Sequence, residues 1–103
     1  MSDSVAIVTG ASQGIGRSTA IRLARDFSSV VLVARNEKAL EDVADAVQKA
    51  GAKPLPLALD LSQVEASKIV VNTALERFAR IDALLNIAGA VPQIDLLDRK
   101  SVV

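Results

Sequence analysis

Hydrophobic positions along this chain fall into two alternating patterns. Val5-Ala6-Ile7-Val8, Val30-Val31-Leu32-Val33-Ala34 and Ala83-Leu84-Leu85-Asn86-Ile87 are short, nearly continuous apolar runs. Such runs mark strands covered on both faces, as in a parallel sheet. Between them apolar residues recur at helical spacing: Ile15, Ala20, Leu23 and Ala24; then Leu40, Val43, Ala44 and Val47; then Val64, Ile69, Val70, Thr73 and Leu75. With a further strand over Lys53 to Leu59, the predicted order is βαβαβαβ, an α/β domain on a parallel sheet.

The boundaries carry their own chemistry. Asn36 is placed to cap the second helix and Gly51 to end it, while Ser62-Gln63-Val64-Glu65 has the form of a capping box for the third. Pro54 and Pro56 cannot donate to a ladder, so the third strand belongs at a sheet edge. A doubly wound sheet of strand order 3-2-1-4 puts it there. No repeat, low-complexity tract or linker interrupts the chain, which reads as one domain over residues 1–103.

Composition narrows the function. The 12 basic and 12 acidic side chains cancel, and no run of like charge points to nucleic acid or an anionic membrane. There is no cysteine and no histidine, so neither a disulfide framework nor metal catalysis is expected. Met1-Ser2-Asp3-Ser4 lacks a basic flank, and no apolar run approaches the ~20 residues of a spanning helix. The expected location is cytoplasmic. Tyrosine and tryptophan are absent and only Phe27 and Phe78 are aromatic, so Val, Leu, Ile and Ala must build the core.

The strongest motif is Thr9-Gly10-Ala11-Ser12-Gln13-Gly14-Ile15-Gly16, between the first strand and the first helix. Glycines there let the backbone turn sharply, approach a pyrophosphate closely and aim the helix N-terminus at its charge. The spacing is Gly-x-x-x-Gly-x-Gly, not the general Gly-x-Gly-x-x-Gly.

This loop resembles that of the short-chain dehydrogenase/reductase family, Thr-Gly-x-x-x-Gly-Ile-Gly, at every fixed position. Asp60-Leu61 resembles the family's adenine-binding acidic site. Asn86-Ile87-Ala88-Gly89 resembles its Asn-Asn-Ala-Gly, with Ile87 in place of the second asparagine. Taken singly these have plainer readings: a tight turn, a helix-start acid, a strand-end turn former. Three in order, each at a strand end, are specific.

The resemblance, over residues 4 to 97, implies a Rossmann-type fold and a nicotinamide dinucleotide held by Thr9, Gly10, Ser12, Gln13, Gly14, Ile15, Gly16, Asp60, Leu61, Asn86, Ala88 and Gly89. An NAD site places an acid at the end of the second strand. Here Ala34 and Arg35 stand there. A guanidinium offers forked donors to a 2′-phosphate, so NADP(H) is expected over NAD, with Arg35 as anchor and Ser12 and Asn36 as helpers. The alternative is that Arg35 is a solvated charge beside the Asn36 cap.

The resemblance further implies hydride transfer between NADP(H) and a carbonyl or alcohol carbon, and a full-length form that is a homo-oligomer. The family's catalytic set is a Ser, a Tyr-x-x-x-Lys and a supporting Asn. This chain has no tyrosine, so no catalytic residue is assigned and the chain alone is expected to be inactive. Asp98-Arg99-Lys100-Ser101-Val102-Val103 reads as translated sequencing-adapter DNA ahead of its stop codon. That predicts a non-native tail over 98–103 on a truncated cofactor-binding half; a natural helix start is the other reading. Truncation would leave the fourth strand as an open apolar edge and the fragment sticky. The competing functional class is a standalone dinucleotide-binding or sensing module. A flavodoxin-like signalling domain shares the βα order but gives no reason for three glycines.

Overall fold

A computed structural model describes residues 4–12, 14–60 and 63–87. It has β1 (Val5–Thr9), α1 (Gly14–Leu23), β2 (Ser29–Ala34), α2 (Glu37–Lys49), β3 (Lys53–Ala58), α3 (Val64–Phe78) and β4 (Ala83–Asn86). The four strands form one parallel sheet in the order β3-β2-β1-β4. The expected doubly wound, Rossmann-type α/β fold is the one observed.

The continuous apolar runs follow from helices on both sides. Successive strand residues point to opposite faces. Val8, Val30 and Leu32 meet Ala20 and Ala24 of the α1 segment and Leu40, Val43 and Val47 of α2 on one face. Val5, Ile7, Val31 and Val33 meet Ala66, Val70 and Ala74 of α3 on the other. Both central strands are buried throughout apart from the half-buried Ala34.

β3 lies at the edge, as its prolines require. The Lys53 N–H donates to the Ser28 carbonyl at 2.9 Å and the Leu59 N–H to the Ala34 carbonyl at 2.9 Å. Odd-numbered residues therefore bond β2, and Pro54 and Pro56 occupy alternate positions where a donor would point away. The Asn36 side chain caps α2, accepting from the Ala39 N–H at 3.0 Å, and Gly51, at φ 113°, follows the C-cap Ala50.

Several expectations are corrected. Ile15 does not join the core face of α1; it is 73% exposed, and the buried residue of this first turn is its neighbour Gly16, packed on the Gly10 backbone. On α3, Ile69 and Leu75 are exposed, at 47% and 44%. The buried positions of α3 among the described side chains are Ala66, Ser67, Val70 and Ala74, with the half-buried Phe78 packed beside them. α3 starts one residue later than a box capped at Ser62 would place it: Gln63 is the N-cap and makes no side-chain cap bond. Ser62 itself, the side chain of Val64 and the tail 98–103 lie outside the described residues. The strand expected to reach Ile87 ends at Asn86. Ser67 Oγ is buried without a hydrogen-bond partner, and Ala79 ends α3 in the left-handed region at φ 66°.

Candidate functional site

Because all strands run parallel, their carboxyl ends share one edge, and the described candidates gather there. Thr9 ends β1; Gly10, Ser12, Gly14, Ile15 and Gly16 follow it; Arg35 and Asn36 follow β2; Asp60 follows β3; Asn86 ends β4. Gln13, Leu61, Ala88 and Gly89 lie outside the described residues. Open α/β sheets bind ligands at this edge, where the chain order reverses between β1 and its two neighbours.

The glycine loop has a definite geometry. The Ala11 N–H donates to the Val33 carbonyl at 3.2 Å, fastening the turn to the end of β2, two residues before Arg35. Gly16, the third residue of α1, packs directly on the turn. A Cβ there would sit 1.7 Å from the Gly10 oxygen and 2.6 Å from the Gly10 carbonyl carbon. Gly14 is different: its φ is +60° and a Cβ would meet nothing within 4 Å. One glycine lets helix and turn touch, and the other, exposed at the first residue of α1, takes a left-handed conformation. The unpaired N–H groups of a helix's first turn carry partial positive charge at its N-terminus. The residues present fit a phosphate-bearing group.

Arg35 and Asn36 are exposed beside this loop. Asn36 Oδ1 is committed to the cap, so its side-chain NH2 is the group it can turn to a ligand. Asp60 is exposed, and its carbonyl accepts from the Gln63 N–H at 3.2 Å, closing the turn into α3. Thr9 is 2% exposed. Its hydroxyl donates to Asn86 Oδ1 at 2.9 Å and accepts from the Ile87 N–H at 3.0 Å. Thr9 therefore fastens β1 to β4 and orients Asn86 at the edge.

Sequence reasoning missed a second fastening at the opposite edge. Asp82 Oδ2 accepts from the Val5 N–H at 2.8 Å and is held by Arg80. Its partner is 77 residues away, so no local pattern marks it. Among the described residues no three His, Cys, Asp or Glu side chains gather as a metal site, and no helix is long and apolar enough to cross a membrane.

Comparison with known proteins agrees with this geometry. The short chain dehydrogenase family model matches residues 4–102. The short-chain reductase protein NovJ of Streptomyces niveus is 41% identical over 87 residues, 84% of this chain and 33% of that protein. A metagenomic short-chain oxidoreductase solved with NADP superposes with a TM-score of 0.75 at 37% identity, covering 82% of this chain and 38% of that one. An NAD+-bound xylitol dehydrogenase superposes with a TM-score of 0.74 at 33% identity, over 79% and 31%. The chain thus spans about a third of the length of the relatives it matches. A glycine loop that packs on its own helix, a 3-2-1-4 parallel sheet and a family match over nearly every residue together make this chain a member of the short-chain dehydrogenase family.

Proposed function

We propose that this chain supplies the dinucleotide-binding part of an NADP(H)-dependent oxidoreductase acting on a carbonyl or alcohol, and that the 103-residue chain alone does not turn over substrate. The observation that carries this reading is the glycine turn, packed against α1 at Gly16 and fastened to the end of β2 by the Ala11 N–H, with Arg35 where an NAD site has an acid. Gly10, Ser12, Gln13, Gly14, Ile15 and Gly16 hold the pyrophosphate through backbone groups. Arg35 pairs with the 2′-phosphate, assisted by Ser12 and the Asn36 amide. Asp60 and Leu61 border the adenine, and Thr9 holds Asn86, with Ala88 and Gly89, along the rest of the dinucleotide. When bound, the nicotinamide supplies the hydride. The chain has no tyrosine to serve as the family's proton donor, which is why turnover is assigned to residues beyond those here. The protein is expected to be cytoplasmic, with a homo-oligomeric full-length form.

Calorimetric titration with NADPH and with NADH tests the reading. NADPH should bind about tenfold or more tightly than NADH, the worth of a charge-assisted pair, and Arg35→Ala should erase the difference. Equal affinities that Arg35→Ala leaves unchanged would reject the phosphate role.

A further inference from the structure

The side that α1 turns to the core carries a residue foreign to a core. Ala20 and, just past the helix end, Ala24 are 0% and 3% exposed and pack with Val30 and Leu32 of β2 and Leu40, Val43 and Val47 of α2. Residues three and seven positions apart lie on one side of a helix. Arg17 stands three before Ala20 and seven before Ala24, so it continues this stripe toward the helix N-terminus. It is nevertheless exposed, at the end of the stripe nearest the strands' carboxyl edge. Arg35 belongs to the same side: it follows the last residue of β2, and the turn ahead of α1 is tied to Val33 of that strand.

A cation at this place works against the empty fold. The N-terminus is the positive end of a helix, where an acid is favourable and a base is not. α2 and α3 carry Glu37 and Glu65 in their first turns, whereas α1 has no acid there. Among the described residues Arg17 has no ion-pair partner, and Arg35 adds like charge. The group that would balance both arginines is an anion of more than one charge. A phosphate monoester at neutral pH carries about −1.5 to −2, more than one guanidinium neutralises.

We propose that Arg17 is a further specificity-determining residue: together with Arg35 it matches the charge of the 2′-phosphate, and it is kept at the expense of stability in the empty chain. This rests on the dinucleotide reading above.

Arg17→Gln removes the charge and leaves helix propensity nearly unchanged. In calorimetric titrations of the 103-residue chain, this substitution should weaken NADPH about fivefold, the upper end for an exposed ion pair, and leave NADH unaltered. Urea titration of the empty chain should move the other way, its midpoint rising by about 0.3 M as an unfavourable charge leaves the first turn. Arg17→Lys keeps the charge and should recover most of the NADPH affinity. A residue with a purely structural role would lower the midpoint and weaken both dinucleotides together. Unchanged NADPH affinity in Arg17→Gln, an equal loss for NADH, or a lowered midpoint overturns the proposal. If Arg35→Ala still erases an NADPH preference that Arg17→Gln leaves intact, the dinucleotide reading stands without Arg17; if the unaltered chain binds neither dinucleotide, both fall.

Discussion

Replacing Gly16 with alanine places a methyl group 1.7 Å from the Gly10 oxygen, 2.6 Å from the Gly10 carbonyl carbon and 3.2 Å from the Ala11 Cα. Ordinary C···O contact is about 3.3 Å, so helix and turn must separate by about 1.6 Å. Every atom met is backbone, and the turn has nowhere to go. Ala11 is fully buried in the core shared with α1 and α2, and its N–H is bonded to Val33. Overpacking of this kind costs about 3 kcal/mol, and losing the Ala11 bond adds about 1 kcal/mol. The better helix propensity of alanine returns about 1 kcal/mol. The net loss is about 3 kcal/mol, so with a urea m-value of about 1.5 kcal/mol/M the unfolding midpoint should fall by about 2 M. The control is Gly14→Ala, which meets no atom and carries only the left-handed φ of +60°, worth about 1–2 kcal/mol. Urea titrations followed by far-UV circular dichroism should rank Gly16→Ala well below Gly14→Ala. Equal midpoints, or the reverse order, would refute the contact argument and show that backbone dihedral strain governs this loop.

Two further changes should stabilise the chain. Ser67→Ala removes a buried hydroxyl that has no partner and should raise the unfolding free energy by about 1 kcal/mol; a loss on urea titration would mean the hydroxyl is satisfied in solution. Ala79→Gly relieves a left-handed C-cap at φ 66° and should gain about 0.5–1 kcal/mol, read as a rise in melting temperature, and a fall would count against strain at that cap.

Much of the architecture is legible in the sequence. Uniformly apolar runs indicated strands covered on both faces, and Pro54 and Pro56 placed β3 at the edge of the 3-2-1-4 sheet. The glycine loop, the Asn36 cap and the clustering of Arg35, Asp60 and Asn86 at one edge followed from local pattern and strand order. The inner face of α3 did not. Pattern reading weights large apolar side chains and so places Ile69 and Leu75 inside, whereas the buried positions of α3 include the small Ala66, Ser67 and Ala74. The Asp82–Val5 and Thr9–Asn86 bonds join residues 77 apart, and nothing local to either partner announces the other.

The prolines of β3 also decide how this sheet can be extended. Lys53, Leu55, Leu57 and Leu59 turn their N–H groups toward β2, while Pro54 and Pro56 stand where the outward donors would be. A strand arriving from outside would find carbonyls there but two missing amides, and could not build a regular ladder. β3 is therefore a closed border among the four described strands, and growth of the sheet, whether by more of the same polypeptide or by another molecule, has a single direction, outward from β4.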